Sequence, residues 1–87
     1  MKISYNSQPQ RNLIGNQIFK LRKSKKLSQK EMAAQPQVQG YYFSELTILR
    51  IEKGKRLVTD IELKILCDYF HITPNDLLGY GDDGRLV

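Results

Sequence analysis

Residues 44–54 read Ser44-Glu45-Leu46-Thr47-Ile48-Leu49-Arg50-Ile51-Glu52-Lys53-Gly54, and at 100° per residue they sort into two unlike faces. Ile48, Ile51 and Glu52 fall on one side. Leu46, Leu49, Arg50 and Lys53 fall on the other, with Glu45 and Thr47 flanking. Ser44 predicts the start of a helix, because its hydroxyl can accept a free N–H of the first turn, and Gly54 predicts its stop. One face is therefore core and the other is free. Glu52 on the core side needs a partner, since an unpaired buried carboxylate is costly.

Towards the N-terminus, Leu13, Ile14, Ile18 and Leu21 recur at helical spacing from Arg11 onwards and predict a first helix. It ends in the basic run Arg22, Lys23, Lys25 and Lys26, where the helix dipole favours cations. Ser28 and Glu31 form a capping box that opens a second helix with Met32 and Ala33 inward. The small side chains of Ala33 and Ala34 let it lie close to the helix that follows Ser44. Between them, Pro36 disfavours helix at Gln35. The second helix either ends there or kinks into an extra turn through Val38 before Gly40 redirects the chain. Phe43 is expected in the core, while Tyr41 and Tyr42 are either partly buried or offer hydroxyls to phosphates.

Beyond Gly54 and the basic pair Lys55-Arg56, Thr59 and Glu62 form a second capping box. The helix it opens carries Leu63, Leu66, Cys67 and Phe70 as one apolar stripe. A second stripe, Ile61, Ile65 and Tyr69, is available to the first helix or to another subunit. Thr73 and Pro74 open a last helix with Leu77 and Leu78, and Gly79 ends it. His71 sits in the preceding turn as a structural or solvated residue. The pattern is thus all-α, a single bundle of five short helices over 11–79, with a frayed arm at 1–10 and a flexible tail at 80–87.

Eighty-seven residues make one domain with a core small enough to benefit from a partner subunit. The single cysteine, Cys67, cannot form an internal disulfide, which suits a reducing compartment; it reads as a buried small side chain or, less simply, as a redox sensor. No zinc-ligand set accompanies it, and no long apolar run or signal-peptide pattern is present, so a cytoplasmic protein away from membranes is expected. The net charge of +5 conceals an asymmetry: residues 1–58 carry 12 Lys/Arg against 3 Asp/Glu, and residues 59–87 carry 2 against 6. A basic half with an acidic remainder is the footprint of a polyanion binder, as against a face kept charged for solubility. The lone histidine has no partner in a nucleophile pattern and no glycine-rich phosphate loop occurs, so neither an enzyme nor a cofactor is expected.

Leu27, Ser28, Gln29, Glu31 and Ala33 resemble the Leu-Ser-Gln-x-Glu-x-Ala signature of Cro and cI-type helix-turn-helix repressors, the xenobiotic-response-element family. Ile48 to Gly54, followed by Lys55-Arg56, resembles the end of their recognition helix, and the likeness covers roughly Leu13 to Gly79. It implies a lambda-repressor-like bundle. The connection between helices 2 and 3 is longer here than the three or four residues the motif normally uses. The resemblance also implies that an arginine late in helix 1, Arg22, pairs with the glutamate late in the recognition helix, Glu52, and that Gln29 contacts the DNA backbone.

In that frame the N-terminal half of the recognition helix lies at the major-groove floor, so Glu45, Leu46, Thr47 and Arg50 are the candidate base readers. Arg50 can bind guanine O6 and N7, Glu45 can accept from cytosine N4, and Leu46 can meet a thymine methyl. Alternatively, Glu45 complements the helix dipole and Arg50 touches only phosphate. Gln29, Lys30, Lys53, Lys55 and Arg56 are the candidate phosphate contacts, with Lys23, Lys25 and Lys26 as distant contributors or a solvated face. The expected role is a sequence-specific regulator of double-stranded DNA, a repressor, acting as a homodimer. A rival reading is an antitoxin-like or phage regulatory protein that holds a protein partner through Leu46 and Leu49.

Overall fold

Four hydroxyl side chains set the starts of the principal helices. Ser28, Ser44, Thr59 and Thr73 each accept from the backbone N–H three residues on, at 3.0 to 3.1 Å. Glu31 and Glu62 return a bond to the N–H of Ser28 and Thr59, which completes two capping boxes. The computed structural model describes residues 9–39 and 43–80. It contains α1 (Gly15–Ser24), α2 (Gln29–Ala33), α3 (Pro36–Gln39), α4 (Glu45–Glu52), α5 (Asp60–Phe70) and α6 (Pro74–Leu78). The fold is all-α. The expectations for the arm at 1–8, for Tyr41 and Tyr42 and for the tail at 81–87 lie outside the described residues.

The lengthened connection is filled by α3, the extra turn that follows Pro36. Val38 within it and Phe43 after it are both fully buried, so the connection is pinned to the core at two points. α3 packs on α5, while α1 and α2 both pack on α4. Ile18, Met32, Ile48, Ile51 and Leu66 complete the centre of the core.

Gly15 decides how close α1 and α4 come. A Cβ there would fall within contact distance of the Ile51 and Glu52 carbonyl oxygens, so only glycine lets the first turn of α1 rest on the α4 backbone. The start of α1 is held by Asn12, whose full amide capacity is used. Its Oδ1 accepts from the N–H groups of Ile14 and Gly15. Its Nδ2 donates to the carbonyls of Ile51 and Arg56 at 3.1 and 2.8 Å. One side chain thus caps α1 and anchors it to the end of α4.

Three expectations are corrected. Leu13 lies ahead of α1, which begins at Gly15, and is 82% exposed instead of joining the apolar face. Ala34 is the C-cap of α2 and exposed, so Ala33 alone packs inward. The second stripe of α5 divides, because Tyr69 is buried while Ile61 is 66% exposed. Successive turns of a straight helix drift around a small core, and the two ends of one stripe meet different surroundings.

Among the described residues Arg22 is the charged residue buried in the core, and Glu52 is its partner. Its Nε donates to Glu52 Oε2 at 2.7 Å and its Nη2 to Glu52 Oε1 at 3.0 Å, while Nη1 reaches the Leu27 carbonyl. Both side chains are more than 90% shielded from solvent. The hydrogen bond to Glu52 raises the Arg22 pKa above its ordinary value against the opposing effect of burial. A second bidentate pair joins Arg56 to Glu62 at 2.8 and 2.9 Å, and it fastens the loop after α4 to the first turn of α5. The Arg56 bond holds the Glu62 carboxyl below its ordinary value, aided by the Thr59 N–H and opposed by burial.

Three consequences are testable. Gly15→Ala should destabilise the fold by at least about 2 kcal/mol in urea titration, because the added methyl meets rigid backbone; a neutral result would show that α1 can lift off α4 freely. Glu52→Gln should cost roughly 3 to 5 kcal/mol by leaving a buried guanidinium unneutralised, and wild-type melting would place the pair in solvent. Because the Glu62 carboxyl is depressed in the folded state, its contribution is complete above the unfolded carboxylate pKa of about 4.3 and is lost as pH falls through the folded value. The stability gap between wild type and Glu62→Gln should therefore narrow from about pH 7 to about pH 3; a gap constant with pH would discard the linkage.

Candidate nucleic-acid interface

Among the described residues α4 is held by one side only. Ile48 and Ile51 are buried, and Glu52 lies in the ion pair with Arg22. Around the other side Glu45, Arg50 and Lys53 are exposed, Leu46 is 50% exposed, and Thr47 and Leu49 are half-buried. Ser44 fixes the start of this face, and its hydroxyl also lies 3.0 Å from that of Thr47, so the Thr47 hydroxyl is oriented by the cap. The helix ends where Gly54 adopts φ 72°, a left-handed conformation natural for glycine. An added Cβ there would also collide with the Gln10 side chain, which crosses this position. Lys55 N–H returns to the Arg50 carbonyl at 2.9 Å and satisfies one of the last free acceptors of α4.

The second contributor is the start of α2. Gln29 is half-buried, and its Nε2 donates to Glu52 Oε1 at 3.0 Å. That bond orients the amide and leaves its oxygen and second N–H free of it. Gln29 and Glu45 border one open groove of about 660 Å³, together with Lys23 and Lys26. The ends of α1, α2 and α4 thereby meet at a single concave site with more cationic than anionic side chains.

Each of the remaining candidates has a definite place. Lys30, Lys53 and Lys55 are exposed. Arg56 is bound to Glu62 through both terminal nitrogens and to the Leu57 carbonyl, so its guanidinium is held to the loop, with about a third of the side chain exposed. The lysines after Arg22 separate. Lys23 and Lys26 border the groove, whereas Lys25 Nζ lies 5.1 Å from the centre of the Tyr69 ring. The division arises at the end of α1, where Lys23 is still helical, Lys25 is the C-cap and Lys26 turns away in the left-handed conformation with φ 59°.

Sequence reading misses Asn12. An asparagine two or three residues ahead of a helix is a recognisable cap signal. Its bonds to residues 39 and 44 positions away have no sequence signature.

Cys67 is buried, and burial pushes its thiol pKa up, which makes it a packing residue with little thiolate character. Among the described residues no group of three or more His, Cys, Asp or Glu is placed to hold a metal ion. No helix among them is long and apolar enough to cross a membrane.

A half-free helix presented beside a second helix start, bordered by lysines, is the arrangement of a helix-turn-helix unit. No curated protein and no solved structure matches the chain significantly. The family model described as Cro/C1-type HTH DNA-binding domain matches residues 17–83, a stretch that runs from the first turns of α1 past the end of α6. On the strength of that match over well more than half its length, the chain belongs to the Cro/C1-type helix-turn-helix DNA-binding family.

Proposed function

We propose that the protein is a sequence-specific regulator of double-stranded DNA that represses by occupying its operator as a homodimer in the cytoplasm, without cofactor or catalysis. The observation that carries this reading is the free outer face of α4, with Glu45, Leu46, Thr47 and Arg50 directed away from a core that grips only Ile48, Ile51 and Glu52. These four are the base-reading set. Arg50 offers a bidentate fork to guanine and Leu46 a methyl contact to thymine. Lys30, Lys53 and Lys55, joined by Lys23 and Lys26 and by the oriented amide of Gln29, supply the phosphate contacts that set register. Asp60, Glu62, Asp68 and Asp76 reside on α5 and α6, so the acidic half of the chain is carried by helices other than the reading pair. Repression fits a short domain because a bound dimer excludes other proteins by occupancy alone.

A second reading rests on Leu46, which is half exposed at the centre of this face. A protein partner docking there would bury an apolar group that DNA uses only at a thymine methyl.

Fluorescence anisotropy separates the two. On a random-sequence duplex the protein should bind with a log-log salt slope of about −4 to −8 for a dimer. On an operator selected from a random pool, Arg50→Ala should lose about 10- to 100-fold in affinity while its random-duplex binding falls much less. Absence of duplex binding even at low salt, with Leu46→Ser abolishing capture of a protein partner, would transfer the site to the second reading.

A further inference from the structure

Phe19 is the one aromatic side chain of α1, and it is 42% exposed. An exposed phenylalanine is ordinary on a protein surface, but this one has a particular place. Gly15, Phe19 and Arg22 stand four and then three residues apart, so they form one stripe along α1. Gly15 rests on the α4 backbone and Arg22 grips Glu52, which turns the stripe towards the end of α4. Phe19 lies between the two. The guanidinium carbon of Arg22 stands 5.4 Å from the centre of its ring, a cation–aromatic contact.

The polar edges of the guanidinium are already engaged, Nε and Nη2 by Glu52 and Nη1 by the Leu27 carbonyl. The ring supplies what those partners do not, an apolar surface against the same group. The contact between Lys25 and Tyr69 has the roles reversed, with the cation exposed and the ring buried. At Phe19 the cation is the shielded member, at 6% exposure, and the ring is the partly exposed one. Phe19 therefore covers the ion pair instead of filling the core.

We propose that Phe19 is a positioning residue for the phosphate contact of Gln29. Its ring keeps water from the Arg22–Glu52 pair, and the pair holds the Gln29 amide at the groove. The connection is a chain of direct contacts. Glu52 Oε1 accepts from Arg22 Nη2 and from Gln29 Nε2, each at 3.0 Å, so the oxygen that orients the amide is the one the guanidinium steadies. Water admitted beside Arg22 would compete for that oxygen, and linked hydrogen bonds weaken together. The assignment of Gln29 to phosphate is taken from the proposed function, on which this role of Phe19 rests.

Two measurements on the full chain test it, with Phe19→Leu to keep an apolar side chain without the aromatic face and Phe19→Tyr to keep both. Heteronuclear NMR reads the first. Exchange of the Arg22 Nε–H with water should quicken by at least about tenfold in Phe19→Leu and stay near wild type in Phe19→Tyr. Anisotropy on a DNA duplex reads the second. Phe19→Leu should bind about 2- to 5-fold more weakly, with an unchanged salt slope because no charge is altered. Gln29→Ala should cost affinity in wild type and cost little further in the Phe19→Leu background, the coupling expected of residues that act through one network. Circular dichroism melting checks that each variant is folded. Exchange that does not respond to Phe19→Leu, or a Gln29→Ala loss of the same size in both backgrounds, overturns the proposal and leaves Phe19 a surface packing residue. A wild-type chain that binds no duplex at low salt overturns the functional reading and this role with it. One that binds, with Gln29 indifferent to Phe19, overturns this role alone.

Discussion

A carboxylate and a guanidinium withdrawn from water together leave little freedom to the elements that carry them. Glu52 stands at the end of α4 and Arg22 near the end of α1, and each would be costly to bury alone. The pair is not isolated. Glu52 Oε1 accepts from both Arg22 and Gln29, and Arg22 spends its remaining terminal nitrogen on the Leu27 carbonyl. Four segments, α1, the turn after it, the start of α2 and the end of α4, therefore converge on one hydrogen-bonded cluster. Apolar packing of Ile18, Met32 and Ile48 would tolerate some rotation of α4; a bidentate ion pair with satisfied neighbours does not. The outward direction of Arg50 and Leu46 follows from the inward direction of Glu52.

The same cluster connects stability with recognition. Gln29 touches the structural carboxylate with one N–H and borders the cationic groove with the rest of its amide. Arg22 balances the charge of Glu52, so this buried carboxylate adds no net negative charge beside the groove. A parallel arrangement holds the loop after α4, where Arg56 is matched by Glu62. Lysines, flexible and strongly hydrated, are left to the surface, and the two rigid guanidinium forks inside the domain are used as structural clamps. Arg50 is the exposed exception on α4.

The long connection between α2 and α4 costs the motif little. Loop closure entropy grows slowly with length, and Val38 and Phe43 return side chains to the core on either side of Gly40. The relative placement of α2 and α4 is then governed by Met32, Ile48 and the Glu52–Gln29 bond instead of by the turn. An insertion here can lengthen the chain without changing what the outer face of α4 presents.

Local chemistry was legible in the residues themselves. Ser28, Ser44, Thr59 and Thr73 begin helices because a hydroxyl beside a free N–H acts over three residues, and the two-faced pattern of 44–54 follows from the pitch of one helix. The family signature depends on these short-range features and was visible for the same reason. Tertiary structure alone decided the rest. Whether Leu13 belonged to the core, whether Arg56 was free, which of Lys23, Lys25 and Lys26 shared the groove, and why Gly15 had to be glycine all depend on a neighbour distant along the chain. Periodicity states which residues share a face. Only the packed fold determines what that face meets, because the meeting is between elements whose order in sequence does not encode their distance in space.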